Sequence, residues 1–361
     1  MHIHKTGFVR VSASFFSSLI LFCVSFSGVY AIDAGKTNEL VLLNWSEYMD
    51  PELIAKFEKQ YNAGVTEVYF ESDDARDDMM VATDASGYDI AVVNGITLTS
   101  YAKAGWIQPI KKEKIPNLKH IIPQMRDVFP DSREYAVPFF FGTVGIAYRS
   151  DLVRKTPTSW MDIFKPEEYL HGKIGMSSDV RDTFGAALKA LGYSVNSADL
   201  IENRQAGELL VHQKPFVKTY NYLTLDADSA LVSGDIYMAL FYNGDALMVA
   251  EHNDAIEFLV PDEGGNLWID YLAVLKKAPN SELAWKFINF LNEPENAAQL
   301  AEFVHYATPN KSAEKLLPCE RLDHPVLYPS AEIIDKSEFD GVIPARIQKM
   351  RNATISGLLQ E

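Results

Sequence analysis

The stretch VLLNWSEYMDPEL, residues 41–53, joins an apolar run to the start of a helix. Residues 40–45 predict a buried strand, because the run is mostly apolar and too short for a typical helix. Asp50 is placed to cap the following helix, with Pro51 as its first residue. A strand that leads into a capped helix is the first half of a β-α-β unit.

The same alternation continues along the chain. Apolar runs at residues 65–70 and 88–94 flank an acidic helical stretch at 74–83. Repeated β-α-β steps predict an α/β protein with a mostly parallel sheet. In such sheets ligands bind beyond the carboxyl ends of the strands. We therefore expect a ligand site beside residues 45–48 and Asn94, which follow two of these strands.

The remainder of the chain predicts a second set of strands and helices. Residues 136–148 and 266–276 are rich in β-branched and aromatic side chains, which favours extended strands. Helices are expected at 281–292 and 294–305, followed by an irregular tail. No Gly/Ser-rich linker separates two independent domains. We therefore expect two lobes that share the extended strands.

The first 31 residues have the pattern of a secretory signal peptide. Lys5 and Arg10 precede a long apolar stretch, and residues 29–31 offer small side chains for cleavage. An uncleaved membrane anchor is the alternative, and the many serines of the stretch favour cleavage. After cleavage only Cys319 remains, so the exported protein is not built on disulfides.

Composition and motifs exclude several classes of function. Apolar residues make up 47% and charged residues 23% of the chain, as in ordinary globular proteins. The net charge of -16 argues against nucleic acid as a partner, because phosphate binding needs a basic face. The chain has no phosphate-binding loop, no nucleophile elbow and no histidine pair at metal spacing. We expect neither an enzyme nor a bound metal or cofactor.

Aromatic and acidic residues recur at the ends of predicted strands and at helix starts. Trp268 and Asp270 lie two apart on a predicted strand and therefore share a face. A tryptophan alone would favour a core position, but a carboxylate on the same face needs a partner. Asp179 and Asp182 fit helix capping equally well. Tyr242 precedes a turn into a helix.

Rings and carboxylates together suit an alkylammonium ligand. Ring faces attract the cation, and carboxylates form charge-assisted hydrogen bonds with ammonium groups. A long polyamine needs both, since its methylenes require apolar walls and its nitrogens require acids. Sugar sites also use aromatic platforms and carboxylates, so a sugar is the rival ligand.

These residues lie in segments that resemble the bacterial periplasmic spermidine/putrescine-binding proteins, the PotD and PotF family. The similarity extends over nearly all of the chain after the leader. The segments that carry it are NWSEY, YDIAVV, SWMDIFKPEEYLHGKI, DVRDTFGAALKALGY, YNGDA, EGGNLWIDYLAV, FINFLNEPENA and YATPN.

The resemblance implies a two-lobed type II periplasmic binding protein, with an α/β sheet in each lobe and a ligand cleft between the lobes. Lobe 1 would comprise residues 32–142 and 269–314. Lobe 2 would comprise residues 143–268 and 315–361.

The resemblance also implies a set of ligand-binding residues. Trp45 and Tyr48 match the aromatic pair after the first strand, with Glu47 between them as a candidate acid. Asp179 and Asp182 match two acids that hold one ammonium end. The full set is Trp45, Glu47, Tyr48, Asn94, Asp179, Asp182, Tyr242, Trp268, Asp270 and Asp340.

The chain departs from the family pattern in places. Tyr242 stands where the family often has tryptophan, and Asp182 where it often has glutamate. Asp340 falls where the family has a polar contact from the tail. After the third strand the chain has VVNGIT at residues 92–97, without the expected aromatic ring. Asn94 can still supply a hydrogen bond there.

The resemblance implies a monomeric periplasmic receptor for spermidine, norspermidine or putrescine that serves an inner-membrane ABC importer. One alternative is a polyamine sensor that reports to an inner-membrane receptor with cyclic-di-GMP enzyme domains. Binding of another solute, such as a sugar, is a further alternative. An enzyme on this scaffold is the last, and no catalytic constellation favours it.

Overall fold

The structure is a computed structural model that describes residues 38–360. The predicted signal peptide, residues 1–31, lies outside the described residues. Among the residues that are described, no helix has both the length and the apolar character needed to cross a membrane.

The strands of the described residues occupy short segments along the whole chain. Their bounds are β1 Glu39–Trp45, β2 Gly64–Phe70, β3 Ile90–Asn94, β4 Ala136–Arg149, β5 Ile174–Gly175, β6 Val217–Thr219, β7 Met238–Tyr242, β8 Ile256–Leu259, β9 Asn266–Val274 and β10 Glu338–Phe339.

The α-helices alternate with these strands and continue to the end of the chain. Their bounds are α1 Pro51–Tyr61, α2 Asp73–Thr83, α3 Thr97–Ala104, α4 Ser132–Tyr135, α5 Met161–Phe164, α6 Val180–Ala190, α7 Leu200–Gln213, α8 Ala230–Ser233, α9 Asn243–Ala250, α10 Ser281–Leu291, α11 Pro294–Val304, α12 Lys311–Glu314, α13 Cys319–Leu322, α14 Ala331–Lys336 and α15 Ala345–Leu359. Short 3-10 segments lie at Lys112–Lys114, Pro116–His120, Pro123–Arg126, Glu168–Leu170 and Lys214–Phe216.

The first β-α-β unit forms as the opening stretch predicts. β1 pairs in parallel with both β2 and β3. Asp50 caps α1 by accepting a hydrogen bond from the backbone N–H of Glu52 at 2.8 Å, and Pro51 is the first helical residue. Leu53 and Phe57, one turn apart, are the buried residues of α1. Burial of this face stabilises the helix against the sheet.

β4 connects two groups of strands. Its first half, residues 136–143, pairs antiparallel with β9, and its second half, residues 144–149, pairs with β7 and β8. The ladder with β9 is irregular between Pro138 and Phe140. Proline has no N–H to donate, so an irregularity there is expected. The full strand order is β2-β1-β3-β9-β4-β7-β5-β6, with β10 beside β9 and β8 beside β4.

Four hydrophobic clusters cover the two groups of strands, one on each face of each group. Around the first group they draw on residues 40–140 and 269–306. Around the second group they draw on residues 144–256 and 355–358. Successive side chains on a strand point to opposite faces, so β3 contributes Ile90 and Val92 to one cluster and Ala91 and Val93 to the other. The lobe boundaries 32–142 with 269–314, and 143–268 with 315–361, remain predictions.

The tail is not irregular, which corrects the sequence-based expectation. α15 packs against α6 and α7, with Ile347, Ile355 and Leu358 buried. Arg351 lies between them and donates to the side chain of Asn203 at 2.7 Å. The apolar positions of α15 are separated by polar residues and by one buried arginine, so the helical period is weak in the sequence.

Candidate functional site

Asp270 lies at the centre of the candidate site, on β9. The register places it opposite Asn94 of β3 and opposite Phe140 of β4. The hydroxyl of Tyr48 donates to Asp270 Oδ2 at 3.2 Å. Burial raises the pKa of Asp270 from 3.8 to about 7, and hydrogen bonds from Tyr48 and Trp45 only partly oppose this. The carboxylate therefore lies in a site that favours a neutralising cation.

A continuous row of four rings runs through the site. Tyr48 meets Tyr306 edge to face at 5.9 Å, and Tyr306 meets Trp268 at 4.8 Å. Trp268 in turn meets Tyr242 at 6.2 Å, with the ring planes at 88°. We call Tyr48, Tyr306, Trp268 and Tyr242 the aromatic row. These contact geometries are those that aromatic pairs prefer.

The far end of the aromatic row meets a second group of acids. The hydroxyl of Tyr242 donates to Asp182 Oδ2 at 2.5 Å. The side-chain nitrogen of Asn266 lies 3.5 Å from Asp182 Oδ1 and 3.4 Å from Asp340 Oδ1. Asp179 accepts from the backbone of α6 and is its N-cap, as the capping alternative predicts. Capping therefore accounts for Asp179 and not for Asp182.

Burial makes these carboxylates hard to ionise. It raises the pKa of Asp179, and it raises the pKa of Asp182 well above its usual value, with the charge of Asp179 adding to the effect. The pKa of Asp340 rises to about 7 for the same reason. A positively charged ligand would favour the ionised carboxylates, because it would offset both the cost of their desolvation and the repulsion between their like charges.

A further acid of the site was missed by the sequence analysis. Asp245, near the start of α9, accepts hydrogen bonds from the hydroxyls of Tyr222 and Tyr306. Burial raises its pKa to about 6. Asp245 lies three residues after Tyr242, in the first turn of α9, where an acid commonly stabilises the helix end, so its place in the sequence did not indicate a site role. Tyr222 lies in a polar segment with no clear pattern, so its sequence gave no indication of a site role.

Three predicted residues have contacts outside the aromatic row. Glu47 is exposed, with φ at 55°, and influences the site through its charge on Asp245. The side-chain amide of Asn94 forms hydrogen bonds within the protein. Its Nδ2 donates to Asp73, and its Oδ1 accepts from the backbone N–H of Thr97 at 3.0 Å. Trp45 packs against Phe70 with ring centroids 4.4 Å apart.

A ring from elsewhere covers the position where the expected ring is missing. A Cβ on Gly95 would lie 2.0 Å from Cδ2 of Phe129, so the ring packs directly on the glycine backbone. Phe129 also meets Phe339, the neighbour of Asp340, edge to face at 6.0 Å. The absence of a side chain at Gly95 therefore admits the ring of Phe129.

Within the described residues, no group of three histidine, cysteine or carboxylate side chains could hold a metal ion. The acids of the site are spread over β9, α6, α9 and the tail, with rings and amides between them. This arrangement can hold several separate cationic groups along an apolar surface.

The sequence of this chain is similar to those of known proteins. The model of the bacterial extracellular solute-binding proteins matches residues 52–321. This chain belongs to that family. The spermidine/putrescine-binding periplasmic protein of Escherichia coli is 33% identical over 320 residues, which cover 88% of this chain and 91% of the relative.

Two further relatives bear on this solute-binding protein. The norspermidine sensor of Vibrio cholerae is 28% identical, over 89% of this chain and 88% of the relative. The crystal structure of the substrate-binding protein PotD of a spermidine/putrescine ABC transporter, from Streptococcus pneumoniae, has a TM-score of 0.77 and 27% identity. It covers 90% of this chain and 99% of that chain. The comparisons confirm the expected α/β, two-lobed type II binding-protein fold. The family is one of solute-binding proteins rather than enzymes.

Proposed function

We propose that this solute-binding protein binds an aliphatic polyamine along the aromatic row. The observation that supports this most directly is the pairing of each end of the row with a buried carboxylate. Tyr48 donates to Asp270 at one end, and Tyr242 donates to Asp182 at the other. Rings separated by acids match a chain of methylenes separated by ammonium groups.

The contributions expected from such a site are large enough for tight binding. Each ring face near an ammonium contributes about 0.5–2 kcal/mol, depending on desolvation. Each hydrogen bond between an ammonium and a carboxylate contributes about 1.5–3 kcal/mol. Each buried methylene adds about 0.8 kcal/mol. Ordering of a flexible ligand offsets part of this sum.

A sugar fits the same rings less well, because it carries no positive charge. Binding a neutral sugar would leave the buried Asp182 and Asp270 and the half-buried Asp340 without a counter-ion, and the pKa of each is already raised by desolvation. A polyamine supplies the missing charge. The full set of predicted ligand-binding residues stays part of this proposal.

The two lobes would close on the ligand. Tyr306, at the edge of the first group of strands, donates to Asp245 on α9 of the second group, so the two groups already meet beside the row. β4 would act as the hinge, because its first half pairs with β9 in the first group and its second half pairs with β7 and β8 in the second group.

The biological output would be uptake of polyamine from the periplasm through an inner-membrane ABC permease. The Streptococcus pneumoniae protein is named as the substrate-binding protein of a spermidine/putrescine ABC transporter, which supports this proposal. The Vibrio cholerae relative is named a norspermidine sensor, which favours a second candidate function, that of a polyamine sensor. Such a sensor would report to an inner-membrane cyclic-di-GMP signalling receptor. Polyamine uptake and the cyclic-di-GMP level in a deletion strain would separate the two. Cleavage of residues 1–31 and a monomeric state belong to the same proposal.

Calorimetry on the protein from residue 32 onward tests the ligand class. Putrescine, spermidine and norspermidine should release heat and saturate at one ligand per chain, whereas an uncharged disaccharide should not. Binding of the disaccharide with no response to any polyamine would replace this proposal by the sugar alternative.

A further inference from the structure

One acid near the candidate site has no role in the proposed binding of a polyamine along the aromatic row. Asp73 is the first residue of α2 and follows β2. An acid in the first turn of a helix usually serves the helix itself. Here Ser72 is the cap, since its hydroxyl accepts from the backbone N–H of Ala75 at 3.1 Å. The carboxylate of Asp73 is therefore not needed to cap α2.

Two neighbours hold the carboxylate of Asp73 in place. Arg76 donates to its Oδ1, and the side chain of Asn94 donates to its Oδ2. Arg76 is fully buried, with its Nε on the hydroxyl of Tyr101 at 3.1 Å. A carboxylate has about four acceptor positions, so two of them remain for another donor. The side chain of Asp73 is 32% exposed and remains accessible.

The local charges leave an excess of one negative charge. Arg76 also pairs with Asp77, whose Oδ1 lies 3.0 Å from its Nη2. Burial lowers the pKa of Arg76, but the charges of Asp73, Tyr101 and Asp77 more than offset this and raise it above its ordinary value. One guanidinium therefore faces two carboxylates, and Asp73 is not the sole counter-ion of Arg76.

Asp73 is connected to the acids of the candidate site through Asn94 and through its charge. Asn94, which holds it, is the register partner of Asp270. The negative charge of Asp73 contributes to the raised pKa values of four acids of the site. Asp182 on α6 and Asp270 on β9 are buried, whereas Asp179 at the N-cap of α6 and Asp340 in the tail are half-buried. It therefore lies within electrostatic range of both acid groups of the site.

We propose that Asp73 is a further specificity-determining residue, a carboxylate that binds an ammonium group of the ligand and is positioned by Arg76 and Asn94. This inference rests on the proposed polyamine function. An ammonium group between Asp73 and the buried acids would neutralise charges from both sides at once. The helical position of Asp73 and the interaction with Arg76 fix the direction of its carboxylate, which reduces the entropy lost on binding.

The test is calorimetry of four variants of the protein from residue 32 onward, with spermidine, norspermidine and putrescine as probes. Asp73→Asn removes the charge with little change of shape. Asp74→Asn is the matched control, since Asp74 is the exposed next residue of the same helix turn. Arg76→Met and the double variant Asp73→Asn/Arg76→Met ask whether Asp73 acts only as the partner of a buried arginine. Thermal unfolding of each variant monitors its fold.

We expect Asp73→Asn to weaken the tightest-binding polyamine about 10- to 100-fold, and Asp74→Asn to leave its affinity unchanged. The double variant should stay as weak as Asp73→Asn, because the ligand has lost its acid in both. Recovery of wild-type affinity in the double variant would overturn the proposal and make Asp73 a structural counter-ion. Unchanged affinity in Asp73→Asn would also overturn it. Failure of the wild type to bind any polyamine would instead overturn the proposed function, and this inference with it.

Discussion

Asp270→Asn should change two properties of this solute-binding protein in opposite directions. Asparagine keeps the shape of the side chain and can still accept the hydrogen bond from Tyr48. Without ligand, the substitution removes a buried charge that lacks a cation, so the free energy of unfolding should rise. With ligand, the same substitution removes the partner of an ammonium group, so the affinity should fall.

The size of the first effect follows from the position of Asp270. Burial raises its pKa from 3.8 to about 7. That rise corresponds to an upper limit of about 4 kcal/mol for keeping the folded carboxylate ionised. Rearrangement of the surrounding groups reduces the measured effect, and we expect about 1–3 kcal/mol at a pH near 8.

The pH dependence has a definite sign. The pKa of Asp270 in the folded protein, about 7, lies above its ordinary value of 3.8. The stability that its protonation contributes is therefore complete below about pH 4 and is lost as the pH rises through about 7. The stabilisation by Asp270→Asn should accordingly be small near pH 4 and largest near pH 8.

Asp270→Asn should also raise the Kd for the polyamine. Loss of one charge-assisted hydrogen bond in a closed site costs about 1.5–3 kcal/mol, or about 10- to 150-fold in Kd. Chemical unfolding across the pH range and calorimetry near pH 8 measure the two effects. Asp254→Asn, at an exposed loop position, is the control. A variant that is less stable than the wild type near pH 8, or that binds polyamine equally well, would refute this reasoning.

Three further predictions concern the same site. Polyamine affinity should fall between about pH 8 and pH 5.5, because Asp270 and Asp340, with pKa values of about 7, become protonated and lose the charge that attracts ammonium. Calorimetry at constant ionic strength measures this fall. Trp268→Leu should weaken polyamine binding about 10- to 100-fold. Trp106→Leu is the control and should not weaken it, because Trp106 is a half-buried residue that packs against the first group of strands outside the aromatic row. Gly95→Ala should destabilise the protein by about 1–3 kcal/mol and lower its melting temperature, because the new methyl group displaces Phe129. Gly357→Ala is the control and should not lower the melting temperature, because a methyl group there enters open space on α15.

Local patterns in the sequence predicted much of the first half of the fold. Residues 40–45 form β1 apart from its first residue, and the cap at Asp50 and Pro51 begins α1 where expected. These features depend on short-range hydrogen bonds and on the conformational preference of proline, so a single sequence is enough to find them. The common face of Trp268 and Asp270 on β9 follows from the strand period in the same way.

The sequence was less informative where polar and apolar residues mix. α15 was expected to be irregular, because its buried Arg351 interrupts the apolar period, although tertiary hydrogen bonds satisfy it. The role of Asp245 was hidden by its resemblance to a helix cap. The ring of Phe129 packs on the backbone of Gly95 after β3, and only the tertiary structure reveals this contact.

The sequence by itself determined the kinds of groups that the site contains: rings and acids at strand ends, and acids at a helix start. Only the tertiary structure decided which of them meet. Tyr48 and Asp270 are 222 residues apart in the chain and 3.2 Å apart in space, because β9 lies between β3 and β4 in the sheet. Sheet order is set by the burial of all strands together, whereas local propensity acts over only a few residues. The row that joins Asp270 to Asp182 is therefore a property of the fold.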